Sequence, residues 1–187
     1  MEFLPIALVV VALVVGGWVI ATYNGLVGRR LRVEEALSQI EVQLKRRHDL
    51  VPNLVNAVKG YMDFEQDVLT KVTEARAGAV AAESKGPAEQ AAAENLLTGA
   101  LRQLFAVVEN YPQLKANENV LSLQEQLTTT ENQLGFARQH YNATVLEYNA
   151  AVSTFPSNLV AGAFGFRARD FFDAEPAADA VPVVSLR

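Results

Sequence analysis

An all-α protein is predicted here: an N-terminal transmembrane helix followed by an antiparallel four-helix bundle. Three observations predict it. No charged side chain occurs between Glu2 and Arg29. After that stretch apolar residues recur at alternating steps of four and three, the spacing of a helix with one buried face. The periodic segments are separated by a few Gly- and Pro-containing breaks, where helices stop and restart.

The anchor comes first, over residues 1–24. Phe3 to Thr22 is an almost continuous apolar run, and twenty helical residues rise about 30 Å, the thickness of a bilayer's hydrocarbon core. Phe3, Leu8, Leu13, Trp18 and Ile20 are expected to face lipid. A cleaved signal peptide is the competing reading. It calls for a basic start and small residues at a cleavage site, whereas this chain begins Met1-Glu2 and carries Gly16-Gly17-Trp18-Val19. A retained anchor is therefore expected. Arg29, Arg30 and Arg32 follow the run. Basic residues stay on the cytoplasmic side, so the N-terminus is expected outside and the bundle in the cytosol. These arginines also suit anionic lipid headgroups, and Trp18 and Tyr23 suit an interfacial aromatic belt.

The bundle is expected over 25–155, with helices at about 25–48, 52–82, 88–110 and 117–154. Val33, Leu37, Ile40 and Leu44, then Val51, Leu54, Val58 and Tyr61, form one stripe crossed only by Arg47. Pro52 lacks an amide donor but is tolerated at a helix start, so a break is expected between His48 and Val51. The stripe crosses Pro52 in register, which leaves a single kinked helix as the alternative. Gly86-Pro87 separates the second and third helices, and Tyr111-Pro112 the third and fourth. The third helix is expected to bury Leu96, Leu97, Leu101, Leu104, Phe105 and Val108. The fourth should bury Leu127, Leu134, Tyr141, Val145 and Tyr148 among others, ending at Phe155-Pro156. Short connections imply antiparallel neighbours, and the heptad-like period also allows coiled-coil pairing between chains.

The C-terminal region differs. Residues 156–173 hold Leu159, Phe164, Phe166, Phe171 and Phe172 interleaved with Arg167 and Arg169. They read either as an interfacial segment beside lipid or as a cap on the open end of the core. Residues 174–187 are rich in Ala and Pro and are expected to be extended or disordered.

The net charge of −5 argues against nucleic-acid binding. Basic residues outnumber acidic ones from Tyr23 to Lys59, and the balance reverses from Gly60 onward. With no cysteine, neither a disulfide nor a thiolate metal site can form. A di-iron bundle needs Glu-x-x-His pairs, but Lys45 and Ala137 stand three residues before the two histidines, His48 and His140. No H-E-x-x-H helix or phosphate-binding G-x-x-x-x-G-K-[ST] loop occurs. Neither a cofactor nor an enzymatic activity is expected. Lys45, Arg46 and Arg47 read either as a contact for a partner or lipid, or as a solvated helix end; on the apolar stripe, Arg47 is expected to pair with Asp49 or Glu65. Asn53, Asn56 and Lys59 share a polar face that reads either as a binding site or, more cheaply, as capping and solvation.

Several stretches together resemble the LemA family. They are Tyr23-Asn24-Gly25-Leu26-Val27, Gln39 through Arg47, Asp49-Leu50-Val51-Pro52-Asn53-Leu54-Val55, Val58-Lys59-Gly60-Tyr61, Ala75-Arg76 and Phe155-Pro156-Ser157-Asn158. The similarity covers nearly the whole chain. It departs at Ala36-Leu37, where an Ala-Trp pair is expected. The resemblance implies a bacterial single-pass protein with a cytosolic four-helix bundle and a scaffold or adaptor role. Relatives are often encoded near membrane zinc metalloproteases, and one branch takes part in magnetosome membrane formation. It further implies membrane lipid, a second copy of the chain or a membrane metalloprotease as partner.

Overall fold

A computed structural model describes residues 3–61 and 65–172. Six helices occur among them, with no strand: α1 (Phe3–Lys59), α2 (Gln66–Ala82), α3 (Pro87–Val108), α4 (Pro112–Lys115), α5 (Glu118–Ser153) and α6 (Ser157–Ala163). The extended tail expected over 174–187 lies outside the described residues.

The main departure from expectation concerns Pro52. The break expected at His48 to Val51 does not exist; α1 runs through Pro52 to Lys59. A proline in a helix leaves the carbonyl four residues earlier without a donor. Here that carbonyl belongs to His48, and Arg76 Nε of α2 donates to it at 2.7 Å. A side chain from the next helix replaces the missing amide. The stop comes instead at Gly60, the first residue beyond α1, where helix propensity is weak. The helix expected over 52–82 is therefore divided between the end of α1 and α2.

The later boundaries fall within a residue or two of those expected. Pro87 and Pro112 each open a helix at its first turn, where a missing amide is harmless. Asn117 caps α5, its Oδ1 accepting the amides of Asn119 and Val120 at 3.0 and 3.2 Å. The short helices α4 and α6 are additions to the expected pattern.

The described chain divides into two compact units, where a single bundle over 25–155 was expected. One unit comprises residues up to Ser38 together with His140–Arg169. Its interior holds Leu26 and Val33 of α1, Tyr141, Val145 and Tyr148 of α5, and Val160 of α6. The other comprises Gln39–Gln139 and the chain from Asp170. Its core joins Val51, Leu54 and Val58 of α1, Leu69 and Val72 of α2, Leu97, Leu101 and Leu104 of α3, and Val120 and Leu127 of α5. Leu114 of α4 joins them, so five helices share this core. Each fully buried Leu contributes about 1.5–3 kcal/mol relative to exposure.

Candidate functional site

Two clusters of side chains stand out, one in each unit. In the Gln39–Gln139 unit, Arg47, His48 and Glu94 are all buried among apolar residues. Burying a charge is costly unless it is paired and hydrogen-bonded, and these are. Glu94, with a fully buried side chain, accepts from His48 Nε2 at 2.6 Å through Oε1, and Arg47 lies 3.4 Å from its Oε2. Arg47 also meets Glu131 at 3.1 Å and donates to Thr98 Oγ1 at 2.7 Å. On the other edge of the imidazole, Nδ1 lies 3.0 Å from Glu83 Oε1.

This geometry favours the protonated ring. A neutral imidazole has one N–H, yet both ring nitrogens of His48 face carboxylate oxygens. The imidazolium satisfies both. Burial pushes its pKa down, but the hydrogen bonds and charges of Glu94 and Glu83 outweigh that effect and raise it overall. Burial lowers the pKa of Arg47 against the pull of Glu131 and Glu94. Arg76 adds a third basic side chain to the cluster through its bond to the His48 carbonyl. Beside the ring lies a cavity of about 450 Å³ whose lining includes Lys45, His48, Arg76, Glu83 and Gln90.

Arg47 therefore pairs with neither Asp49 nor Glu65. Asp49 is two residues away, on a different helix face. Glu65 lies beyond the end of α1, whose twelve residues after Arg47 span about 18 Å. Nor does Arg47 offer a surface contact: only Lys45 and Arg46 of that basic run are exposed. The sequence held a signal for its true partner. Counting back from Val108 through Leu104, Leu101 and Leu97 in alternating steps reaches Glu94 and then Gln90, an acid and an amide on an apolar stripe. Leu96, expected inside, is exposed instead.

The second cluster surrounds Tyr23. Its ring packs edge-on against Phe164 at 4.9 Å and Phe166 at 5.6 Å. Arg30 lies 5.8 Å above the Phe166 ring and 3.8 Å from Glu34, which also meets Arg169 at 3.5 Å. Gly165 makes this approach possible. It adopts φ +73 after α6, a left-handed conformation that glycine takes without strain, and the Phe166 amide bonds back to Ala161 O at 2.9 Å, closing the helix. Asn149 of α5 then holds the Arg169 backbone by both its amide and its carbonyl, each at 2.8 Å.

The expected contact residues thus separate. Phe3, Leu8, Leu13 and Ile20 are well exposed and Trp18 about half as much. Arg32 is exposed, while Arg29 reaches Gly25 O at 3.4 Å. Phe164, Arg167 and Phe171 are exposed. Phe166 and Phe172 are buried, at 9% and 0% exposure, because one packs on Tyr23 and the other beneath Arg138, 5.2 Å away.

The fold and these clusters define a helical protein with a membrane-length first segment and a buried ionic knot. The chain belongs to the LemA family, which matches residues 36–186. It is similar to Magnetosome protein MamQ 2 of Paramagnetospirillum magneticum, at 26% identity over 87% of this chain and 68% of that protein. Magnetosome protein MamQ of Magnetospirillum gryphiswaldense is 24% identical over the same shares. Protein LemA of Metamycoplasma hominis is 27% identical over 74% of this chain and 63% of its own. None of these names is that of an enzyme.

Proposed function

We propose that the chain is a membrane-anchored, non-enzymatic scaffold or adaptor at the bacterial cytoplasmic membrane, with its N-terminus outside and its bundle in the cytosol. The observation that carries this reading is the continuity of α1. One unbroken helix begins in a stretch long and apolar enough to cross a bilayer and ends inside the packed core with Leu54 and Val58. The apolar stretch and the core residues thus belong to one continuous helix. Large apolar side chains remain exposed beyond that stretch, with Leu96 and Phe136 at 71% each. Exposed apolar surface favours protein contact, and a second copy or a protein partner would use it. Family resemblance adds a membrane metalloprotease as the partner to test, and the acidic balance disfavours nucleic acid.

A photoreactive amino acid placed at 96 or 136 of the full chain in native membranes tests the scaffold. Crosslinking to a second copy or to one specific partner is expected. Only monomers at physiological level would sink it. A second reading, direct action on lipid to shape the membrane, draws on exposed Phe164 and Phe171 and on juxtamembrane Arg29, Arg30 and Arg32. Reconstitution with anionic vesicles tests it: Phe164→Ser with Phe171→Ser should abolish vesicle deformation while leaving the buried Phe166 and Phe172 in place. Unchanged deformation rejects it.

A further inference from the structure

We propose that Arg30, Arg167 and Arg169 form a pocket for a phosphate group, floored by Tyr148 and Phe166. A cavity of about 340 Å³ is lined by these residues, all within the unit that contains the start of α1. Three arginines from two separate stretches of chain line it. Guanidinium forks match phosphate oxygens two at a time and hold them more firmly than a point charge does. Glu34 compensates only part of this charge, bridging Arg30 and Arg169 at the rim with all three side chains about half exposed. Arg167 forms no ion pair with any described residue. An anion entering here would take up Arg167 and compete with Glu34 for its neighbours.

The pocket is also set in advance. Gly165 turns the chain out of α6, Phe166 is buried next to Tyr23, and Asn149 clamps the Arg169 backbone at both hydrogen-bonding groups. A ligand therefore orders side chains without ordering the backbone, which lowers the entropic cost of binding.

Location favours a lipid source for the phosphate. Arg30 stands eight residues beyond Thr22, about 12 Å along the helix. Helical side chains tilt toward their N-terminus, here back toward the apolar stretch, and the polar layer begins where that stretch ends. The lipid assignment rests on the membrane-anchored reading; the phosphate chemistry does not.

Calorimetric titration of the full-length protein in neutral detergent separates these points, using inorganic phosphate and short-chain phosphatidate as probes. Both should bind, and phosphatidate more tightly if acyl chains add contacts. Arg167→Ala, whose side chain makes no described ion pair, should weaken binding about tenfold, and Arg167→Lys should restore part of it. Lys71→Ala, an exposed cation of α2 outside the pocket, should leave binding unchanged. Equal affinity for the two probes supports the pocket and assigns it a soluble phosphate. Absence of binding by both, or an equal loss in Lys71→Ala, overturns the proposal. Crosslinking at 96 and 136 is independent of these outcomes, so the scaffold and the pocket can fail separately.

Discussion

His48 shows how much one protonation state can decide. Its ring is held between Glu83 and Glu94, and its pKa is raised in the folded chain. A raised pKa means that the folded state binds the proton more tightly. The stabilisation is then fully present below the unfolded value of about 6.5 and is lost as pH climbs through the folded value. Thermal melts taken from about pH 6 to 9 should show stability declining with pH, and His48→Gln should flatten that slope. A wild-type slope of the opposite sign would contradict the assignment. Glu94→Gln leaves Arg47 and His48 facing a neutral amide inside the core. Breaking a buried pair in this way typically costs about 3–5 kcal/mol, which denaturant titration would detect. Part of this knot was legible in the sequence, because Arg47 interrupts an apolar stripe. Glu94 on the apolar stripe of α3 was a second signal, but their pairing was not legible, since it depends on which faces of α1 and α3 meet, and neither segment's periodicity specifies that.

At the scale of the element, α1 and the chain after α6 carry the lesson. The helical class and the apolar first segment follow from periodicity alone, and Pro87, Pro112 and Asn117 mark boundaries by local chemistry. Pro52 misleads because its rescue is not local: the substitute donor is Arg76, on the next helix. The two residues should therefore be energetically coupled. Arg76→Ala in the wild-type chain leaves the His48 carbonyl short of a donor and should cost about 1–3 kcal/mol. In a Pro52→Ala background residue 52 regains an amide that can reach that carbonyl, and the cost should shrink by about 0.5 kcal/mol or more. A double-mutant cycle with no coupling would refute the compensation. Gly165 is simpler. An added Cβ meets nothing within 4 Å, so Gly165→Ala should cost only the left-handed backbone penalty, about 1–2 kcal/mol. Thermal unfolding measures it, and a neutral result would mean that the turn does not need its positive φ.

Across the whole molecule, the family match over residues 36–186 and the unbroken first helix support one picture: a helical protein fixed to a bilayer by the same helix that builds its core. That picture makes a topological commitment, because Arg29, Arg30 and Arg32 follow the apolar run. The most direct test is protease treatment of intact bacterial cells carrying the full chain, with lysed cells alongside. The helical domain should stay undigested and retain residues 3–22 until the membrane is opened. Digestion in intact cells, or a mature protein lacking those first residues, would contradict the account.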